Sequence, residues 1–125
     1  MKIQKILLVD DDSNIQMIAQ MGLEDRSDWN LVLASSGREA LEKAVNEKPD
    51  IILLDIMMPG MDGKETFSKL KEQPTSANIP IIFMTAKVQT HEIETYLKMG
   101  ASGVITKPFD PMTLSQDICK IVDAN

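Results

Sequence analysis

An α/β domain, with a parallel sheet covered by helices on both faces, is the fold that the 125-residue sequence predicts. Three observations lead there. Short runs of Ile, Leu and Val recur without polar alternation, which is the pattern of strands buried on both faces. Between them lie stretches whose apolar residues repeat at helical spacing. The two signals alternate five times, and such alternation favours right-handed crossovers into a parallel sheet.

The first run, Ile6-Leu7-Leu8-Val9, ends in three carboxylates, Asp10, Asp11 and Asp12. A helix follows in which Ile15, Ile18, Gly22 and Leu23 share a face, with Asp12 or Ser13 as its N-cap. Residues 30–34 are more amphipathic and suit an edge strand. Ala40, Leu41, Ala44 and Val45 stripe a second helix, which Lys48-Pro49 stops. Residues 51–54 make another buried strand, followed by a helix striped by Gly63, Phe67 and Leu70. Asp62 is its expected cap and Gln73-Pro74 its break. Residues 79–84 form the fourth strand. Ile93, Leu97 and Gly100 stripe the fourth helix, with Gly100 as its C-terminal cap. A weaker strand at 103–105 leads to a helix striped by Leu114, Ile118, Ile121 and Val122. Asp110 is expected to cap it, with Pro111 near the first turn. All these stripes are expected to be core.

Composition narrows the function. The 13 Lys and Arg against 19 Asp and Glu give a net charge of −6. There is no basic surplus for neutralising the phosphates of DNA or RNA, although a small anion or a divalent cation can still bind. An apolar share of 43% with 26% charged residues is that of a globular chain and not of a disordered one. The lone cysteine, Cys119, leaves no intramolecular disulfide, and ILLV is too short for a signal peptide or a membrane span. A single cytoplasmic domain over residues 1–125 is expected, using no membrane and no direct nucleic-acid contact. All five strand–helix units are used by the fold, so any output is expected to pass through protein contact.

Ligands of open parallel sheets bind beyond the carboxyl ends of the strands. Asp10, Asp11 and Asp12 follow the first strand and Asp55 the third, within Asp55-Ile56-Met57-Met58-Pro59-Gly60-Met61-Asp62-Gly63. Thr85 follows the fourth strand, and Thr106, Lys107 and Pro108 the fifth. If these ends converge, one pocket holds several carboxylates, a hydroxyl and an ammonium. Clustered carboxylates must protonate or be neutralised by a cation. Hard oxygen donors on few protein groups suit Mg2+, which keeps several waters and shares its shell with phosphate. Lysine and threonine can hold phosphoryl oxygens, and a carboxylate can be the nucleophile that accepts a phosphoryl group. Any one of these residues alone reads as a helix cap or a solvated charge; Asp10, Asp11, Asp55, Thr85 and Lys107 together do not.

The segments ILLVDDD, LLDIMMPGMDG, PIIFMTA and ITKPF, in that order, make the chain resemble the receiver domain of two-component response regulators along essentially its whole length. The resemblance implies a doubly wound, flavodoxin-like sheet of order 2-1-3-4-5 with five helices. It implies a phosphorelay switch and not an enzyme with separate substrates. Asp55 would accept the phosphoryl group. Asp10, Asp11, Asp55 and the backbone carbonyl of Met57 would hold Mg2+, Asp10 through water. Thr85 and Lys107 would contact the phosphoryl group, and the Lys107-Pro108 bond would be cis. The implied donor is a sensor histidine kinase or a histidine phosphotransfer protein. A downstream protein would dock on the face made by the fourth helix, fifth strand and fifth helix.

Asp12 matches no ligand position of the family and stays a cap. Met57 and Lys87 match sites flanking the route of water to an acyl phosphate. One position departs: receivers often carry Tyr or Phe three residues before the lysine, where this chain has Val104. A β-branched side chain has few rotamers and makes no large swing, so the output is expected to rest on backbone shifts over 87–99. His91 is expected to be a solvent-exposed residue and Cys119 a packing residue; Met57, Met58 and Met61 crowd one loop.

Three other readings compete. An aspartate-nucleophile phosphohydrolase is suggested by Asp10-x-Asp12, but Asn14 stands where such enzymes carry Thr or Val. A flavodoxin-like cofactor carrier would need a Ser/Thr/Gly-rich phosphate loop after the first strand, and none follows. A receiver-shaped module that is never phosphorylated would have no use for the full motif set.

Overall fold

The computed structural model describes residues 2–86 and 89–124. Five strands, β1 (Lys5–Val9), β2 (Asn30–Ala34), β3 (Ile51–Asp55), β4 (Ile81–Thr85) and β5 (Gly103–Thr106), alternate with five helices. The helices are α1 (Ser13–Gly22), α2 (Gly37–Glu47), α3 (Gly63–Glu72), α4 (Thr90–Met99) and α5 (Leu114–Asp123). All strand pairs are parallel, in the order β2-β1-β3-β4-β5. The doubly wound α/β expectation holds. No helix among the described residues is long and apolar enough to cross a membrane.

The sheet separates two apolar layers. Ile6, Leu8, Ile51, Leu53, Ile82 and Met84 point to α1 and α5, where Ile15, Ala19, Leu114 and Ile118 meet them. The alternate residues, Leu7, Val9, Ile52, Leu54, Ile81 and Phe83, pack against α2, α3 and α4. With apolar layers on both faces of the sheet, residues 6–9 of β1 and all of β3 are buried. Each such Leu or Ile stabilises the fold by about 1.5–3 kcal/mol relative to an exposed one.

Most termini follow the sequence. The Asp12 carboxylate accepts the Asn14 amide at 2.8 Å and caps α1, and Asp62 accepts from the Glu65 amide at 2.9 Å to cap α3. Gly100 ends α4 at φ 114, a conformation that glycine adopts without Cβ strain. The Lys107-Pro108 bond is cis.

Three expectations are corrected. Strand β4 starts at Ile81 and not at 79, because Pro80 has no N–H to give and the Ile79 amide is taken by the Ser76 carbonyl. Asp110 does not cap α5: its carboxylate accepts from Met112, closing a turn, and the helix starts later at Leu114. The α4 stripe is not core. Tyr96 is the buried residue of that helix, while Leu97 is 46% exposed and Ile93 half-buried. Val45 of α2 is also exposed.

Candidate functional site

The carboxyl ends of β1 and β3 are held side by side by their register, which pairs Val9 with Leu54. Asp10 and Asp55 are therefore neighbours on the two central strands. Buried strands leave each chain no lateral freedom, so the carboxylates meet whatever their repulsion costs. Asp10 is 0% and Asp55 2% exposed, and Asp11, the next residue, reaches solvent. One oxygen from each of the three lies within 4.8 Å of the others.

The cation arrives from the far end of the chain. Lys107 leaves β5 and places Nζ 2.9 Å from Asp10 Oδ2 and 3.2 Å from Asp55 Oδ1. The Met57 amide donates to Asp55 Oδ1 at 3.3 Å, and the Asp12 amide to Asp10 Oδ1 at 2.9 Å. One ammonium does not balance the acidic set. Burial first, then the charge of Asp10, pushes the Asp55 carboxyl up to about 6 from 3.8, against the pull of Lys107 and the Met57 amide. Burial alone would lower Lys107, but the hydrogen bond and charge of Asp10, with those of Asp55, outweigh it and the ammonium is raised.

The loop after Asp55 is fixed from below by α3. A Cβ at Gly63 would lie 2.2 Å from the Asp55 carbonyl oxygen, so only glycine lets the helix start this close to the strand end. The Gly63 amide donates to Ile56 O at 2.9 Å and locks that approach. Met58 is buried beneath the loop, whereas Met57 is 68% exposed at its surface.

Thr85 ends β4 beside this pocket at 2% exposure, and its carbonyl accepts the Lys107 amide at 2.9 Å. The structure thus gathers Asp10, Asp11, Asp55 and Lys107 in direct contact range, with Thr85 on the adjoining strand end and the Met57 backbone in the Asp55 turn. Lys87 lies outside the described residues. Three hard oxygen donors around uncompensated negative charge fit a divalent cation of the Mg2+ type. Asp12 stays outside the cluster as a cap, as expected. His91 is exposed, and Cys119 is half-buried with Arg26 Nη1 3.6 Å from its sulfur.

Two residues escaped the reading of the sequence. Gln16 Nε2 donates to the Asp10 carbonyl at 2.8 Å and steadies the acidic turn; a glutamine on a solvated helix gives no signal of this. Tyr96 lies beside the Thr85 hydroxyl. Nothing local in the sequence marks it: that the small Val104 lies opposite Phe83, leaving room for Tyr96, follows only from the strand register.

Comparison with known proteins places this geometry. The model of the response regulator receiver domain family matches residues 6–119. The alkaline phosphatase synthesis transcriptional regulatory protein PhoP of Bacillus subtilis is 40% identical over 95% of the chain, which spans 48% of that relative. Response regulator PleD of Caulobacter vibrioides is 40% identical over 88% of the chain, which covers 24% of it. The chain therefore spans about half or less of these relatives. The solved chemotaxis response regulator CheY4 of Vibrio cholerae superposes with a TM-score of 0.86 at 31% identity, over 96% of this chain and 99% of that one.

Proposed function

Because the chain belongs to the response regulator receiver domain family, whose function is a phosphorylation switch in two-component signalling, we propose that Asp55 is the residue phosphorylated. Receivers act with histidine kinases or phosphotransfer proteins, and a phosphohistidine is the donor in this reading. One Asp55 carboxylate oxygen attacks phosphorus; the new O–P bond forms as the P–N bond to the donor imidazole breaks, and the imidazole takes up a proton. Lys107 and the Met57 amide hold Oδ1, which leaves Oδ2 to attack.

The other roles follow from position. Asp10, Asp11, Asp55 and the Met57 carbonyl would hold Mg2+. When bound, the ion spreads the negative charge of the phosphoryl oxygens. Lys107 neutralises a phosphoryl oxygen as a point charge. Thr85 donates its hydroxyl to another, and the added charge shifts a two-state equilibrium of the β4–α4 region. The chain over 1–125 acts on its own aspartate and turns over no separate substrate. Its setting is the cytoplasm. Output passes to a downstream protein on the α4–β5–α5 face. There Ile93, Leu97, Val104 and Ile121 line an open apolar groove of about 380 Å³.

The observation that carries this reading is the buried, upshifted Asp55 between a lysine and two further aspartates. Acetyl phosphate with Mg2+ tests it. The Asp55 peptide of the wild type should gain one phosphoryl group, and Asp55→Asn should gain none. A wild type left unmodified, or a variant modified equally, refutes the assignment. The phosphohydrolase alternative would place the nucleophile at Asp10, whose two oxygens accept from Lys107 and the Asp12 amide; a label on Asp10 in place of Asp55 would favour it.

A further inference from the structure

Tyr96 is the only tyrosine of the chain and the buried side chain of α4, at 5% exposure. Its ring meets Phe83 of β4 edge-on, with centroids 5.3 Å apart and planes at 60°. Phe83 in turn contacts Phe67 of α3 at 5.3 Å. A ring held this way by neighbours cannot swing on its own; it moves only with the helix that carries it.

Val104 explains why the space is Tyr96's. It is the register partner of Phe83 across β4 and β5 and packs on the same cluster. A short side chain there leaves the volume beside Phe83 to the residue descending from α4.

The polar end of Tyr96 faces the site. Its phenol is within hydrogen-bonding reach of the Thr85 side chain. Both residues line a cavity of about 260 Å³ with Met57, Lys64 and Glu92, at the edge of the Asp55 loop. A buried phenol needs a hydrogen-bond partner. Glu92 sits one turn earlier on α4, and its Oε2 is buried with no hydrogen-bond partner among the described residues. The hydroxyl thus has two places to bond, one on the strand end and one on its own helix.

We propose that Tyr96 is the positioning residue that couples Thr85 to helix α4. When Thr85 turns its hydroxyl towards a phosphoryl group on Asp55, the phenol loses that neighbour and rotates its O–H about the C–O bond to Glu92. Helix α4, no longer tied to the end of β4 through its clamped ring, then shifts at its N-terminal half. This coupling rests on the reading of Asp55 as the acceptor.

The full chain grown with 3-fluorotyrosine gives a single protein fluorine resonance, and beryllofluoride bound at an aspartate gives a separate one. With Mg2+ and rising beryllofluoride, the tyrosine resonance of the wild type should move in step with the bound signal. In Thr85→Ala, which needs more beryllofluoride to reach the same bound signal, it should stay still when the two proteins are compared at equal occupancy. Tyr96→Phe keeps the ring and loses only the hydroxyl. It should bind beryllofluoride as the wild type does, yet lose the change in amide exchange over residues 90–99. A still tyrosine resonance at saturation overturns the coupling, as does a Tyr96→Phe chain whose α4 responds fully. Absence of any bound signal in the wild type overturns the assignment of Asp55 first, and the coupling with it.

Discussion

Replacing Asp55 by Asn should stabilise the metal-free protein, and the size of the gain follows from its burial. The carboxyl is 2% exposed and held at about 6 against an ordinary 3.8. At about 1.4 kcal/mol per pH unit, ionised Asp55 costs the fold about 3 kcal/mol at neutral pH. The about 6 already includes the attraction of Lys107, so this is a net figure and a ceiling. The sign is set by which state holds the proton more tightly. Here the native state does, so wild-type stability falls as pH rises from about 4 to about 6 and then levels off. The variant has no such group. Its advantage should grow from near zero at about pH 4 to as much as about 3 kcal/mol at about pH 7, or roughly 10 °C in Tm. Urea titrations in chelator across that range measure it. An Asp55→Asn chain no more stable than the wild type at neutral pH, or one whose advantage persists undiminished at about pH 4, would show that the pocket's charge is balanced in some other way.

Other perturbations separate the members of the site. Lys107→Met keeps the stem but leaves Asp10 and Asp55 buried without their cation; about 3 kcal/mol of stability should go in chelator, and labelling by acetyl phosphate should slow about 100-fold. Asp11→Asn changes an exposed carboxylate, so denaturant stability without metal should move by under about 0.5 kcal/mol, while a Mg2+ titration should show weakened binding. Added Mg2+ should raise the Tm of the wild type more than that of Asp55→Asn, read by scanning calorimetry. Gly63→Ala drives a methyl to 2.2 Å from the Asp55 carbonyl; it should cost more than about 2 kcal/mol in urea unfolding and lower phosphorylation with it.

Legibility differed by element for physical reasons. The β1 and β3 strands were plain because a strand buried on both faces has no polar position to confuse it, and the carboxylates that follow had to converge once those strands were central. Helix α4 misled. Its Ile93 and Leu97 share a face, but that face looks into the open groove beside Val104 and Ile121, and the sheet is covered by Tyr96 instead. Apolar spacing says which residues lie together on a helix, not which way the helix is turned. The start of α5 was read early for a similar reason: Asp110-Pro111 closes a turn as well as it opens a helix, and hydrogen bonds decide between them. The coupling of Gln16 to Asp10 was beyond the sequence, since nothing local distinguishes that glutamine from Gln20.

The ion pair between Asp10 and Lys107 joins residues 97 positions apart. A chain emerging from the ribosome exposes its three aspartates long before the lysine that offsets them has been made. Until β5 adds its edge to the sheet, Asp55 has neither its cation nor the backbone that seats Thr85 against Lys107. The charge of the pocket is therefore offset only once β5 has joined the sheet, so the two halves of this ion-pair set belong to opposite ends of the folding order.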